Sequence, residues 1–280
     1  MTTRYTNRFA VDPTAAAMMD TETLRANFLI KELFVPGAIS LNYTNYDRMV
    51  IGGAVPGEEP LTLEAIRPTG TENFLDRREL IVVNMGEPGT VTADDTTFAL
   101  GTHDMLYLGK GTVSVVFASD SAGQPARFYL VSAPAHAELP ATLIRIGDAK
   151  RLDLGSKETA NERSIFQFIH PEGARTCQLV VGMTRLAEGS VWNTMPCHVH
   201  DRRSEAYLYF GLPEAARVLH LMGEPTETRH LVVANEQAVL SPNWSIHAGA
   251  GTGSYGFVWA MAGDNVDYTD VELVDMAVLR

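Results

Sequence analysis

His198, His200, Glu205 and His247 are side chains that could together hold a metal ion. The first three form a His-x-His-x4-Glu cluster, and His247 follows 42 residues beyond the glutamate. Side chains two apart on a strand point to the same face, so both imidazoles of the pair can reach one ion. Three neutral imidazoles and a carboxylate suit zinc, ferrous iron, manganese or nickel better than calcium or magnesium. Such a set leaves room for water or substrate oxygens, which makes the expected chemistry catalytic. Structural zinc sites more often use thiolates, and Cys197 has the opposite strand parity to His198, so its sulfur should turn away. His103, His136, His220 and His230 read as ordinary core or surface histidines.

Other reactive side chains cluster around these four. Tyr207 and Tyr209 share the face of Glu205 on the strand that follows it, and Glu205 and Tyr207 are the candidates for moving a proton. With a formal net charge of -12, the overall field repels nucleic acid and anionic membrane, so an anionic substrate must be met by locally placed arginines. Arg163, Arg185, Arg202 and Arg203 are the candidates, with Arg203 favoured over Arg202, because a guanidinium fork matches a carboxylate. Met195 and Trp244 flank the ligands in sequence and are expected to wall the site against water.

A β scaffold must position these residues. From about residue 30 onward, short β-branched or aromatic runs alternate with Gly, Pro, Asn and Asp clusters, the pattern of a sandwich or barrel. Examples are Leu80–Asn84, Met105–Leu108, Val113–Phe117 and Phe128–Val131. Helices are expected near Thr21–Phe28, capped by Asp20 or Thr21, and near Asp270–Leu279. The polar stretch from Gly147 to Arg163 suits a linker and divides the chain into residues 1–150 and 151–280. The halves resemble each other. Arg77–Asn84 lines up with Arg202–Phe210 and His103–Lys110 with Asn235–Asn243, while the place of His247 falls near Ser114. The first half therefore lacks the ligands. Two cysteines are too few for a disulfide scaffold and fit a reduced, cytoplasmic protein, and no stretch is apolar and long enough to span a bilayer.

The ligand cluster resembles the first motif of the cupin superfamily, Gly-x5-His-x-His-x3-4-Glu-x6-Gly, and Pro242–His247 resembles the second. The spacing departs from the pattern at Gly189 and Gly211, and Trp244 stands in place of a glycine. A broader resemblance covers nearly the whole chain. Asn27–Leu29, Tyr46–Arg48 with Gly52–Gly53, Phe74–Leu80, Trp192–His198, Gly223–His230, Asn235–Val239 and Ser241–His247 resemble the 5-keto-4-deoxyuronate isomerase family. That resemblance implies an all-β, double-stranded β-sandwich bicupin with a few short helices, assembled as a homo-hexamer. It implies one zinc ion per chain, other divalent metals being possible, on His198, His200, Glu205 and His247. The implied reaction converts a small deoxy keto-uronate, 5-dehydro-4-deoxy-D-glucuronate, to 3-deoxy-D-glycero-2,5-hexodiulosonate in the breakdown of pectin and other uronates. The alternatives are a 5-deoxyglucuronate isomerase of inositol catabolism and a non-catalytic sugar-binding bicupin.

Overall fold

The β-branched and aromatic runs form the strands expected of them. A computed structural model of the chain, describing residues 3–170 and 172–280, places strands at Arg78–Asn84, Gly89–Ala93, Met105–Leu108, Val115–Ser119 and Phe128–Pro134. The helix Thr21–Phe28 starts where Asp20 accepts a hydrogen bond from the Thr23 amide, and it buries Leu24 and Phe28, four residues apart on one face. A shorter helix, Pro13–Ala17, has the same device in Asp12, with proline at its first position. No helix among the described residues is long and apolar enough to cross a membrane.

One unit comprises residues 3–8, 32–149 and 172–179. Its seven-stranded sheet runs, in spatial order, Thr3–Arg8, Ile39–Thr44, Val50–Ala54, Phe128–Pro134, Arg78–Asn84, Met105–Leu108 and Thr142–Ile144. A four-stranded sheet has the order Leu61–Thr62, Val115–Ser119, Gly89–Ala93 and Thr96–Leu100. Alternate residues such as Leu80, Val82, Leu106 and Leu108 join Phe117 and Phe128 in its buried apolar core.

The other unit comprises residues 9–31, 150–170 and 180–280. Its seven-stranded sheet runs Lys150–Leu154, Arg163–Gln167, Val180–Leu186, Gly256–Gly263, Arg203–Phe210, Ala238–Ser241 and Leu29–Ile30. The four-stranded sheet runs Trp192–Asn193, Ala248–Gly251, Val218–Glu224 and Glu227–Val233, and His198–Val199 pairs with Glu272–Leu273.

The two units repeat one topology, and the repetition extends to single hydrogen bonds. His103 and Glu236 both take left-handed backbone, at φ 70° and 58°. The His103 amide donates to the Asn84 carbonyl, just as the Glu236 amide donates to that of Tyr209. The Asn84 and Tyr209 amides donate in turn to the Asp104 and Gln237 carbonyls.

Three sequence expectations differ from what is found. The polar stretch read as a linker is mostly a hairpin, in which Lys150–Leu154 pairs with Arg163–Gln167 at the sheet edge. An exposed edge strand needs few apolar residues, which is why it lacked a strand signature. The C-terminal stretch forms the strand Glu272–Leu273 and a 3-10 turn, Met276–Val278, in place of a helix. Pairing of Leu273 with His198 overrides its weak helical pattern. Finally, residues 9–31 group with the second unit, because Leu29 and Ile30 pair with Val239 and Ala238.

Candidate metal centre and cavity

Each ligand candidate comes from a different piece of the second unit. Glu205 lies in the strand Arg203–Phe210, between Ser241 and Met261 on the neighbouring strands. His198 belongs to the short strand His198–Val199, and His200 opens the turn after it. His247 ends the turn that leads into Ala248–Gly251, where Ser245 bonds back to Pro242 and Ile246 to Gly223. Asn243 Nδ2 donates to the Asp201 carbonyl at 3.0 Å, which joins the turn carrying His247 to the turn after His200.

The four side chains converge. His198 Nε2 lies 3.1 Å from His200 Nε2 and 2.9 Å from His247 Nε2. Glu205 Oε2 lies 3.2 Å from His200 Nε2 and 3.1 Å from His247 Nε2. Yet Oε2 is buried with its hydrogen-bonding capacity unmet. Buried acceptors are normally paired, whereas donors about 3 Å apart are what bonds of ~2.0–2.2 Å to a shared ion require. These four residues fit one metal ion, with all donor atoms within 4.8 Å of one another.

The surroundings keep the donors in ligand form. Burial, with His247 and His200 beside it, depresses His198 to about 3, so its ring is neutral at physiological pH. Burial alone would raise Glu205, but His247 and His200 outweigh it and hold the carboxyl below its ordinary range. A ring that ligates through Nε2 carries its proton on Nδ1. The Asp270 carbonyl stands 3.2 Å from His200 Nδ1 and Ser241 Oγ 3.1 Å from His247 Nδ1, so both rings are oriented from behind.

His198, His200 and Glu205 open onto a cavity of about 300 Å³. Tyr207 lines it, with its hydroxyl near the Glu205 carboxylate. Arg163 lines it as well, with Nη1 bound to the Asn161 carbonyl at 2.9 Å and Nε buried without a hydrogen-bond partner.

The remaining residues singled out from the sequence lie elsewhere. Arg185 rests over the Phe166 ring at 5.4 Å and lines a separate polar cleft that shares Arg163 with the cavity. Arg203 is fully buried and directs its guanidinium to the carbonyls of Asp267 and Asp270. Met195 packs on the core of Cys197, Ile246, Ala248 and Val274. Trp244 donates to the Val11 carbonyl and meets Phe28 edge-on. None of these four lines the metal cavity among the described residues.

Thr184, Trp259, Tyr268 and Thr269, which carry no local sequence signal of a site, do line it. Gly182 marks Trp259, because a Cβ there would sit 2.1 Å from the indole. Strand pairing sets Gly182 directly opposite Trp259, a relation invisible before the register is known. His220, an ordinary core histidine by its sequence context, faces Tyr209. It is fully buried, with Nδ1 2.7 Å from the Tyr209 hydroxyl and Nε2 unpartnered.

A family model, the KduI/IolB family, matches residues 41–276. The chain belongs to this family. Among KduI/IolB relatives, it is 67% identical over 276 residues to 4-deoxy-L-threo-5-hexosulose-uronate ketol-isomerase 2 of Rhizobium meliloti, covering 99% of this chain and 98% of that one. It is 60% identical over 273 residues to a protein of Cereibacter sphaeroides named as the same ketol-isomerase, covering 98% of each chain. In fold it matches the crystal structure of an IolB-like protein from Salmonella typhimurium, with TM-score 0.70, 17% identity and coverage of 89% of this chain and 97% of that one. The KduI/IolB fold seen here is thus an all-β bicupin with its metal-ligand set in the second unit.

Proposed function

We propose that this chain is a metal-dependent ketol-isomerase that converts 5-dehydro-4-deoxy-D-glucuronate to 3-deoxy-D-glycero-2,5-hexodiulosonate in uronate catabolism. The observation that carries the reading is one cavity that joins three of the ligand side chains to an arginine without an ion-pair partner among the described residues. Full-length identity of 67% to a relative named for this reaction supports the choice of substrate.

An aldose-to-ketose conversion moves a proton between adjacent carbons while a carbonyl is polarised. A divalent cation on the His198, His200, Glu205 and His247 set supplies the Lewis acid. Three imidazoles and a carboxylate suit zinc, ferrous iron, manganese or nickel, and the family resemblance chooses zinc, one per chain. Glu205 takes the proton from C2 and returns it to C1, while the Tyr207 hydroxyl beside it takes the O2 proton and gives one to O1, so that the carbonyl moves from C1 to C2. Burial keeps Tyr207 protonated, since it raises the phenol well above its ordinary value. Arg163 receives the substrate carboxylate, matching a forked donor to a planar acceptor. Trp259 and Phe257 exclude water along the cavity wall. A homo-hexameric assembly belongs to the same reading by resemblance, and a cytoplasmic location by the two free cysteines.

Side-by-side turnover of the deoxy keto-uronate and of 5-deoxyglucuronate by metal-replete protein tests the proposal. Preference for the first supports it. Preference for the second would move the chain to inositol breakdown, and binding without turnover would make it a sugar-binding protein.

A further inference from the structure

Residues 264–271 follow the strand Gly256–Gly263 and supply Tyr268, Thr269 and Val271 to the cavity wall. This segment, Asp-Asn-Val-Asp-Tyr-Thr-Asp-Val, has neither helix nor strand to hold it in place. Its anchors come from the residues between His200 and Glu205. Arg203 Nη1 donates to the Asp267 carbonyl at 2.6 Å, and Nη2 donates to that of Asp270. Arg202 grips the Asp270 carboxylate, with Nε 3.1 and 2.9 Å from its two oxygens, and also reaches Glu272. Asn265 donates to the same carboxylate at 2.6 Å. Asp270 therefore joins both arginines to a metal ligand, since its carbonyl also faces His200 Nδ1 at 3.2 Å.

Tyr268 sits two residues before this knot. Its ring packs against Trp259 at 5.3 Å, and its hydroxyl lies near Gln167. Tyr268 lines the same cavity as Glu205 and Arg163, and both lie near enough to act on its hydroxyl electrostatically.

Resting on the isomerase reading, we propose that Tyr268 is a substrate-contacting residue and that Arg202, Arg203 and Asp270 are positioning residues that hold its loop against the metal-ligand set. The ligand class is a polyhydroxy keto acid. Its carboxylate meets Arg163, its reacting carbons meet the metal-ligand end, and the Tyr268 hydroxyl bonds an oxygen between them. An isolated surface ion pair could not fix such a loop, but a forked pair joined to a buried arginine and two carbonyl contacts can.

The test compares metal-replete full-length wild type with Tyr268→Phe, Arg202→Gln and the double variant, measuring kcat/KM for the deoxy keto-uronate and bound metal. Arg202 is chosen because its side chain is 42% exposed, so the chain can fold without it. Each single variant is expected to lose about tenfold in kcat/KM, the scale of one hydrogen bond, with metal content unchanged. Because both changes remove the same contact, the double variant should fall no further than the poorer single one. Arg202→Lys should recover part of the loss. Additive losses, loss of metal in Arg202→Gln, or wild-type rates in both single variants would overturn the inference while wild-type turnover still upholds the isomerase reading. A wild type that leaves the keto-uronate unchanged overturns that reading first.

Discussion

Leu80 and Glu205 stand at the same register position of two duplicated sheets. Leu80 pairs with Leu108 and Ser132, and Glu205 pairs with Ser241 and Met261 on the corresponding strands. In the first unit that position feeds the apolar core, and in the second it carries the carboxylate of the metal-ligand set. Ser114 precedes the strand Val115–Ser119 as His247 precedes Ala248–Gly251. One ion per chain is therefore expected by elemental analysis of metal-replete protein. In His247→Ala, metal affinity and turnover should fall together while the β-sheet circular dichroism persists. Full activity with metal undetectable would remove the metal from the reaction.

Arg163→Gln should separate recognition from chemistry. Losing a charge-assisted hydrogen bond costs about 1.5–3 kcal/mol, so KM for the keto-uronate should rise roughly 10- to 100-fold with a smaller change in kcat. Turnover of an analogue whose carboxylate is replaced by a neutral group should not change. An equal loss on both substrates would place Arg163 in a structural role.

Glu79 carries the fold of the first unit. Its buried carboxylate accepts from the amides of Cys177, Gln178 and Leu179 and from the Tyr107 hydroxyl, at 2.7–3.0 Å. A neutral amide cannot satisfy all four donors. Glu79→Gln should cost about 2–4 kcal/mol in chemical denaturation, with activity of the folded protein retained. A change below about 0.5 kcal/mol, the range of ordinary surface substitutions, would contradict this account.

His220 gives the metal-free protein a pH dependence of known sign. Burial, aided by His247 and opposed by Glu205, lowers it from 6.5 to about 3. Between those values the unfolded chain binds a proton that the folded chain refuses. Stability is therefore complete above pH ~6.5 and declines as pH falls toward 3, by at most about 1.4 kcal/mol per pH unit from this group. His198 acts in the same direction. Denaturation midpoints of His220→Gln should fall less steeply over this window than those of the parent, and an unchanged slope would show that His220 is not the titrating group.

Much of this was legible in the sequence because it follows local rules. Alternation and β-branching mark strands such as Arg78–Asn84, Asp20 marks the start of its helix, and ligand spacing marks the metal-binding half. What stayed hidden depends on pairing between distant residues. Lys150–Leu154 is too polar and exposed to look like a strand until Arg163–Gln167 pairs with it. Arg203 reads as a substrate ligand by proximity to Glu205, but the carbonyls that claim it lie 64 and 67 residues away. Tyr268 stands in an irregular loop without periodicity, so only the folded loop brings it to the cavity.

The central claim is a proton moved between adjacent carbons at the metal-ligand end of the cavity. The direct measurement is NMR of the deoxy keto-uronate incubated with metal-replete protein in deuterated water. The account predicts 3-deoxy-D-glycero-2,5-hexodiulosonate bearing solvent deuterium at the carbon that received the proton. Product without deuterium would contradict proton transfer through an enediol in exchange with solvent, and no product at all would contradict the isomerase assignment itself.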